Sequence, residues 1–138
     1  MKQNYQLTRQ ELREFVDWTR IKIKLHASPT KVFPHKREIW WISVGKNIGV
    51  EINGKNERFE RPVLVVKRFN DESSFIVPVT SRIKFGKYFY MFTNKSGEKR
   101  TINLSQARVA SHKRFLRKVE KLGEADFSIV IKKLCGML

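Results

Sequence analysis

The run Pro62-Val63-Leu64-Val65-Val66 constrains the fold more than any other part of this sequence. Four consecutive aliphatic residues, mostly β-branched, predict a buried strand from about Phe59 to about Lys67. Pro62 stands near the beginning of that strand, where its missing N–H group disturbs a sheet least. Arg61 comes immediately before the apolar run, so the strand would hold a cationic side chain rigidly where the core opens onto solvent. What this arginine faces is the functional question that the sequence raises.

A helix is predicted before the strands. The spacing Thr8-Arg9-Gln10-Glu11 is a capping box, and helical periodicity continues to about Leu25. The helix has an apolar stripe that should dock on the rest of the domain, and it is formed by Leu12, Phe15, Val16, Thr19 and Ile23. A second and shorter apolar face consists of Trp18, Ile21 and Leu25, which suggests that the helix is covered on both sides.

The remaining chain predicts short strands in hairpin succession and a helix at its end. Prolines mark residues 26–36 as a linker, and a long polar loop covers residues 45–56 between the first two strands. Further strands are expected at residues 37–44, 75–79, 87–92, 101–104, 106–109 and 118–122, followed by an amphipathic helix over residues 126–134. The predicted fold class is therefore mainly β (α+β), a small and partly open antiparallel barrel with an N-terminal helix and a C-terminal helix.

The charge of the chain points to an anionic partner. Lysine and arginine number 29 against 13 acidic residues, a formal net charge of +16. A net charge of about 2–8 is enough to keep a small domain soluble, so the excess suggests nucleic acid. An anionic membrane, an acidic protein segment or a merely basic surface are the alternatives. One flank of the first helix is also basic, and it either contacts phosphates or is simply solvated. Its basic residues are Arg9, Arg13, Arg20 and Lys24.

Composition also limits the compartment and the chemistry. Cys135 is the only cysteine, which excludes an internal disulfide and suits a reducing cytoplasm. The chain begins with no signal-peptide pattern, and no apolar run approaches the length of a membrane span. His26, His35 and His112 lack the spacing of metal ligands, so no metal site and no cofactor are expected.

Five short motifs occur in the order and spacing of a known family. They are Glu38-Ile39-Trp40-Trp41, Arg61-Pro62-Val63-Leu64-Val65-Val66, Val77-Pro78-Val79-Thr80-Ser81, Leu104-Ser105-Gln106-Ala107-Arg108, and Arg114-Phe115-Leu116 with Leu122-Gly123. Together they resemble the MazF/PemK toxins. The resemblance divides the chain into an N-terminal helical extension and linker, residues 1–35, and a toxin-like domain, residues 36–138. The helix with Trp18 is similar to an extension found in one branch of that family.

The resemblance implies a specific fold and activity. The fold would be an SH3-like barrel that forms a symmetric homodimer in the cytoplasm. The activity would be that of a metal-independent endoribonuclease toxin of a type II toxin–antitoxin system, which cleaves single-stranded RNA and is inhibited by an acidic cognate antitoxin. The alternative is a non-catalytic barrel of the same architecture that binds nucleic acid or inhibits a protein target such as a topoisomerase.

Site residues are assigned through the matching motifs. Arg61 falls on the catalytic arginine of the family and Thr80 on its catalytic threonine. The predicted substrate-binding residues are Ser81, Arg82, Lys84, Tyr88, Ser105, Gln106, Arg108, Asn47 and Asn53. Two positions depart from the family pattern. Arg37 stands where a glycine usually precedes the acidic residue of the first strand, and Ser105 stands where many relatives have an acidic residue just before the glutamine.

Several of these assignments have structural alternatives. The loop asparagines either read base edges or form turns, and Gln106 and Arg108 either line a groove or bond backbone at a dimer contact. Tyr88 and Tyr90 share one face among lysines, which suits unpaired bases, although packing inside the domain is the alternative. Trp40 and Trp41 point to opposite faces of their strand, so one is expected in the core and the other at a surface.

The expected chemistry is attack of a 2′-hydroxyl on the adjacent phosphorus, which leaves a 2′,3′-cyclic phosphate. An arginine matches two phosphate oxygens with its planar fork, and a threonine hydroxyl adds one more hydrogen bond. Arginine remains protonated, so Arg61 is a poor base. His112, Glu60 and Glu38 are the titratable candidates, and the sequence does not assign the general base to any of them.

Overall fold

The computed structural model describes residues 6–138, and in these residues seven strands are flanked by a helix on each side. The first five residues of the predicted N-terminal extension lie outside the described part. In chain order the elements are α1 Arg9–Ala27, β1 Glu38–Ser43, β2 Glu60–Arg68, β3 Ser73–Thr80, β4 Phe89–Thr93, β5 Lys99–Asn103, β6 Arg108–Ser111, β7 Phe115–Lys121 and α2 Glu124–Gly136. Single turns of 3-10 helix cover Leu104–Gln106 and His112–Arg114.

All strand pairs are antiparallel, in the order β4-β5-β3-β2-β1-β7, with β6 paired to the other end of β3. Within residues 6–138 the two outermost strands, β4 and β7, do not pair with each other, so the sheet is open. The predicted fold class is confirmed, including both terminal helices.

Strand β2 lies inside the sheet, and its two faces pack in two different hydrophobic clusters. Leu64 and Val66 pack in a cluster that α2 completes with Phe127 and Val130. Val63 and Val65 pack in a second cluster around Trp40, Phe115 and their neighbours. Burying each such side chain contributes about 1.5–3 kcal/mol, which explains why this strand has no polar face.

Helix α1 begins and ends as its sequence predicts. The Thr8 hydroxyl accepts a hydrogen bond from the Glu11 N–H group at 3.0 Å, and the Glu11 carboxylate accepts from the Thr8 N–H group at 3.0 Å. Trp18 is the residue of this helix that is fully buried. Its ring lies 5.8 Å from the Phe59 ring, and the Arg114 guanidinium lies 5.7 Å above it. One aromatic side chain therefore anchors the helix on the sheet.

The face by which α1 docks differs from the prediction. The predicted docking stripe is largely open to solvent, since Leu12 is 55%, Val16 46% and Ile23 63% exposed. The shorter face with Trp18 packs on the domain, so the helix is covered on one side and not on both. Trp18 determines the docking face because Phe59 and Arg114 pack against its ring.

Two further boundaries differ from the sequence interpretation. The strand predicted at residues 106–109 begins only at Arg108, because Leu104–Gln106 form a turn of 3-10 helix. The last strand begins at Phe115 and not at Lys118. In the described part of the chain no helix is long and apolar enough to cross a bilayer.

Candidate functional site

Arg61 and Thr80 line the same cavity, which has a volume of about 480 Å³. Antiparallel pairing brings them together, since Val63 pairs with Pro78 and the same register continued by two residues places Arg61 opposite Thr80. Side chains that are directly opposite in an antiparallel pair point to the same face. The start of β2 and the end of β3 thus form one site.

The Arg61 side chain is partly buried and only partly engaged. Its Nε atom donates to the main-chain oxygen of Asn53 at 2.8 Å. Among the described residues no carboxylate forms an ion pair with this guanidinium. Burial lowers the pKa of Arg61, and the positive charge of Arg82 lowers it further. Partial burial near a second cation favours the binding of an anion to Arg61.

Thr80 adds a hydroxyl group to the cavity wall. The residue is buried, and its Oγ1 atom accepts a hydrogen bond from the Arg82 N–H group at 3.3 Å. Since that bond uses an oxygen lone pair, the hydroxyl proton remains available for an acceptor in the cavity. Ser81 also lines the cavity, so three predicted site residues contribute to its wall and Arg82 adjoins it.

Glu60 lines the cavity but is held by other side chains. Arg117 binds its two carboxylate oxygens at 2.9 and 3.4 Å. Burial favours the protonated form of Glu60, but hydrogen bonds from Arg117 and Asn56 outweigh burial and lower its pKa. A carboxylate with a lowered pKa is a weak proton acceptor.

The other two titratable candidates lie outside the cavity lining. Glu38 accepts from the His35 N–H group at 2.7 Å and from the Trp40 indole at 3.1 Å, and it pairs with Lys118. His112 is fully buried between the Ser74 hydroxyl at 2.7 Å and the Asp71 main-chain oxygen at 2.8 Å. The structure therefore brings neither of these groups to Arg61.

The loop between β1 and β2 is stabilised from within by the asparagines that were predicted to bind substrate. The Asn47 amide donates to the Ile52 carbonyl at 2.8 Å, and the Asn53 side chain accepts from the Asn47 N–H group. Asn53 also supplies the main-chain acceptor for Arg61. Both residues thus shape the loop beside the cavity, and their role toward a substrate stays a prediction.

Gln106 fixes the same loop from the opposite side. Its Oε1 atom accepts from the Ile52 N–H group and its Nε2 atom donates to the Val50 carbonyl, both at 3.1 Å. The amide of Gln106 therefore completes a chain of contacts from the short 3-10 turn through the loop to Arg61. Its position in the family motif was visible in the sequence, whereas this structural contact was not.

Glycines allow the loop to return to β2. A Cβ atom at Gly54 would lie 1.7 Å from the main-chain oxygen of Phe59, so no larger residue fits there. Gly45, which has a positive φ of 103°, lies under the Trp18 ring, where a Cβ atom would be 2.4 Å from two ring carbons. The two glycines therefore allow the ends of the loop to pack closely against β2 and α1.

The remaining predicted residues lie outside the cavity lining, on neighbouring segments. Lys84 lies with its Nζ atom 5.6 Å from the centre of the Phe89 ring, and the exposed Tyr88 ring has the Lys87 amine 4.9 Å above it. Ser105 donates to Asn103 at 2.9 Å, and Arg108 donates from Nε to a main-chain oxygen at 3.3 Å. Their substrate-binding role stays a prediction.

The aromatic residues separate as the strand periodicity indicates. Trp40 is buried in the core, whereas Trp41 lines the cavity with the Arg117 guanidinium 5.0 Å from its ring. Tyr90 does not share a surface with Tyr88, since its hydroxyl donates to Asp126 of α2 at 2.6 Å. That bond and burial raise the pKa of Tyr90 to about 12.

Several cavity residues were missed by the sequence interpretation. The turn between β4 and β5 and the edge of β7 form the far wall, which includes Lys95, Glu98, Arg100 and Glu120. Both carboxylates are engaged, because Glu98 pairs with Arg100 at 3.2 Å and Glu120 accepts from the Lys95 N–H group at 3.2 Å. Sheet pairing brings these residues near Arg61, because β5 pairs with β3 and β7 pairs with β1. No local sequence pattern indicates this arrangement.

No group of three or more histidine, cysteine, aspartate and glutamate side chains within residues 6–138 is arranged to hold a metal ion.

Comparison with known proteins gives a consistent result. The family model described as PemK-like, MazF-like toxin of type II toxin–antitoxin system matches residues 35–138. No curated protein sequence matches the chain significantly.

Solved structures resemble the fold at low sequence identity. A crystal structure of MazF from Deinococcus radiodurans superposes with a TM-score of 0.62 at 19% identity, covering 78% of this chain and 97% of that chain. A MazE-MazF structure from Deinococcus radiodurans gives 0.59 at 16% identity and covers 78% of this chain and 96% of that one. An endoribonuclease in complex with its cognate antitoxin from mycobacterial species gives 0.59 at 9% identity and covers 75% and 92%.

Proposed function

This chain belongs to the PemK-like, MazF-like toxins of type II toxin–antitoxin systems, and we propose that it is a metal-independent endoribonuclease that cleaves single-stranded RNA. The observation that carries the proposal is the cavity in which Arg61, without an ion-pair partner in the described chain, faces the side of β3 that ends in Thr80. One solved neighbour is itself described as an endoribonuclease bound to its cognate antitoxin.

The proposed reaction uses a group that the substrate brings. The 2′-oxygen of one nucleotide forms a bond to the adjacent phosphorus while the bond from phosphorus to the 5′-oxygen breaks. The products are a 2′,3′-cyclic phosphate and a 5′-hydroxyl, and the proton lost by the 2′-hydroxyl balances the one gained by the 5′-oxygen. DNA lacks the 2′-hydroxyl and is not a substrate.

The protein accelerates this step by stabilising charge. Negative charge builds on the phosphoryl oxygens, and the Nη donors of Arg61 are the groups placed to receive it. The Thr80 hydroxyl donates a further hydrogen bond, and Arg82 increases the local positive potential. Because Asn53 holds Nε, the guanidinium is oriented before the phosphate arrives.

The carboxylates of the cavity have supporting roles in this scheme. Glu60, Glu98 and Glu120 are each bound to a cation or to an N–H group. Glu98 and Glu120 stabilise the far wall, and Glu60 joins the start of β2 to Arg117 of β7. The rate enhancement rests on electrostatics and positioning, with the proton transferred through solvent.

The proposed partners follow from the charge and from the family. Residues 36–138 form the toxin unit, which works as a homodimer, and residues 1–35 are an extension of it. An acidic segment of the cognate antitoxin lies across the basic cavity and covers Arg61, which blocks RNA entry. The chain has 29 basic and 13 acidic residues, and its positive net charge favours binding of both RNA and an acidic antitoxin segment.

The decisive experiment is cleavage of a mixed set of long single-stranded RNAs by the purified protein in EDTA. We expect discrete fragments that end in a 2′,3′-cyclic phosphate, and no cleavage when the nucleotide at the cut carries a 2′-deoxyribose. Salt-sensitive RNA binding without products would reject the enzyme and favour the non-catalytic barrel.

A further inference from the structure

Helix α1 presents an apolar strip on the side that faces away from the sheet. Leu12, Val16 and Ile23 are spaced by four and seven residues, so they lie on one side of the helix. They are exposed by 55%, 46% and 63%, whereas Trp18, on the opposite side, is buried. Thr19 completes this strip, which is called the outer strip below.

A row of basic side chains follows one edge of the outer strip. It consists of Arg9, Arg13, Arg20 and Lys24, which are all exposed. Within residues 6–138 none of the four forms an ion pair. Of the acidic residues of α1, Glu14 pairs with Lys46 of the domain at 2.8 Å. Asp17 is exposed and is the one acidic residue beside the basic row in the described part of the helix. The outer side of α1 is thus apolar along its middle and positive along one edge.

The packing of α1 is sparse for a helix of its length. Of its 19 residues, Trp18 is the one that is classed as buried, and it is 6% exposed. Isolated helices of this size are marginal in water, and most helical stability in proteins comes from packing of an apolar face. A partner that covered the outer strip would supply the packing that the domain does not.

The charges decide between the possible occupants. A second copy of α1 would bring no acidic row against the basic edge in either orientation, and the copies each carry a net charge of +16. A membrane-surface helix inserts its aromatic residues, but here Trp18 packs inward on Phe59. RNA would pair with the basic edge and leave the aliphatic side chains without contacts.

We infer that the outer strip of α1 is a docking site for an amphipathic helix of another protein whose apolar face is bordered by acidic residues. Leu12, Val16 and Ile23 would pack against its apolar face, and the basic edge would pair with its acidic border. The inference rests on α1 alone and does not require that the cavity cleaves RNA.

Fluorescence anisotropy with designed peptides tests this docking site on the full chain. The probe is a labelled peptide of about 20 residues, the length of α1, with leucines at helical spacing and glutamates along one edge. Its matched partner carries lysines in place of the glutamates. We expect the acidic peptide to bind at about 0.15 M salt, where long-range attraction is screened, and the basic peptide not to bind.

Two double variants examine the contact. Leu12→Ser with Val16→Ser removes apolar area and should weaken binding at least about tenfold. Arg13→Glu with Arg20→Glu should weaken it similarly and create binding to the lysine peptide. The matched control, Lys121→Glu with Lys132→Glu, changes the net charge by the same four units at exposed positions outside α1 and should leave affinity within about twofold.

Equal losses in the control and in the Arg13/Arg20 variant would overturn the inference, since the attraction would then be non-specific. Unchanged binding of the Leu12/Val16 variant would overturn it as well. Loss of binding to single-stranded RNA or to anionic phospholipid vesicles in that variant, without an effect on the peptide, would assign the strip to one of those ligands instead. RNA cleavage by the Leu12/Val16 variant should equal that of the wild type, so failure of docking and failure of the proposed enzyme are separable.

Discussion

Arg61 of β2 and Asn53 of the preceding loop are joined by a hydrogen bond of 2.8 Å from the guanidinium Nε to a main-chain oxygen. The acceptor is backbone, so the contact depends on the shape of the loop and not on the asparagine side chain. That shape depends in turn on Asn47 and Gln106. The orientation of the principal cation is therefore set by residues that are distant from it in the sequence.

Replacement of Arg61 should remove most of the proposed activity. In Arg61→Ala the phosphoryl oxygens lose their main donor, and cleavage should fall at least about a hundredfold. Arg61→Lys keeps the charge but not the fork held by Asn53, so its rate should be intermediate. Initial rates on one RNA provide the measurement, with Arg20→Ala on the exposed side of α1 as control. A wild-type rate in Arg61→Ala with an unchanged melting temperature would exclude this role.

The Thr80 hydroxyl should contribute separately. Thr80→Val preserves the β-branched shape but removes the proton donor, and we expect a rate that is lower by about tenfold or more. Thr80→Ser restores the hydroxyl and should recover most of the rate. A wild-type rate in Thr80→Val would show that the hydroxyl is not needed, and a loss confined to Thr80→Ser would assign the effect to the methyl group.

Gln106 distinguishes loop positioning from direct RNA contact. Gln106→Leu leaves the Ile52 N–H group and the Val50 carbonyl without their partner, so the loop should open more easily and Arg61 should lose its orientation. We expect faster hydrogen exchange at Ile52 and slower cleavage, with no further loss when the substitution is added to Arg61→Ala. Weaker RNA binding with unchanged exchange at Ile52 would instead support a direct contact.

The bond between Tyr90 and Asp126 ties α2 to β4, and Tyr90→Phe should lower the free energy of unfolding by about 1 kcal/mol. Burial and Asp126 raise the pKa of Tyr90 to about 12, while an unfolded tyrosine ionises near 10. The tyrosine therefore stabilises the fold below about pH 10 and loses this effect as the pH rises through about 12. Urea unfolding at pH 8 and at alkaline pH should show a steeper loss in the wild type than in Tyr90→Phe. An equal loss of unfolding free energy in both proteins would contradict this role of Tyr90.

His112 should make the fold sensitive to acid. Burial lowers the pKa of His112, and the charge of Arg68 lowers it further against the opposing effect of Asp71. The unfolded chain takes up a proton near pH 6.5, whereas the folded chain keeps the neutral ring to lower pH, so stability should fall as the pH drops below about 6.5. Urea unfolding between about pH 7.5 and 5.5 measures this slope. His112→Gln should be less stable throughout but flatter, and an unchanged slope would assign the effect to other groups.

Local patterns predicted the elements well because each element satisfies a local physical rule. The Thr8 capping box, the apolar run of β2 and the opposite orientations of Trp40 and Trp41 all follow from short-range geometry. The docking face of α1 did not follow, since it depends on what the sheet offers. The β1–β2 loop and Arg114 form the surface on which Trp18 packs. No sequence pattern within the helix indicates that surface.

The relative positions of the predicted site residues could be inferred where two strands pair, but not where loops approach each other. The order of the motifs placed Arg61 and Thr80 on neighbouring strands, and the register of β2 and β3 agrees with that placement. The far wall with Lys95 and Glu120 arises from a turn and an edge strand that are separate in the chain. The internal hydrogen bonds of Asn47 and Asn53 were likewise hidden, because an asparagine in a loop suits a turn and a ligand equally well.

The proximity of Arg61 and Arg82 also concerns folding. Two like charges repel each other in the native chain more than in the unfolded one, where they are farther apart and better solvated. An anion that bridges them binds the native state preferentially, so by thermodynamic linkage each increase in its concentration raises the folded fraction. If phosphate binds there, the melting temperature should rise with phosphate concentration, and this can be measured without observing RNA cleavage.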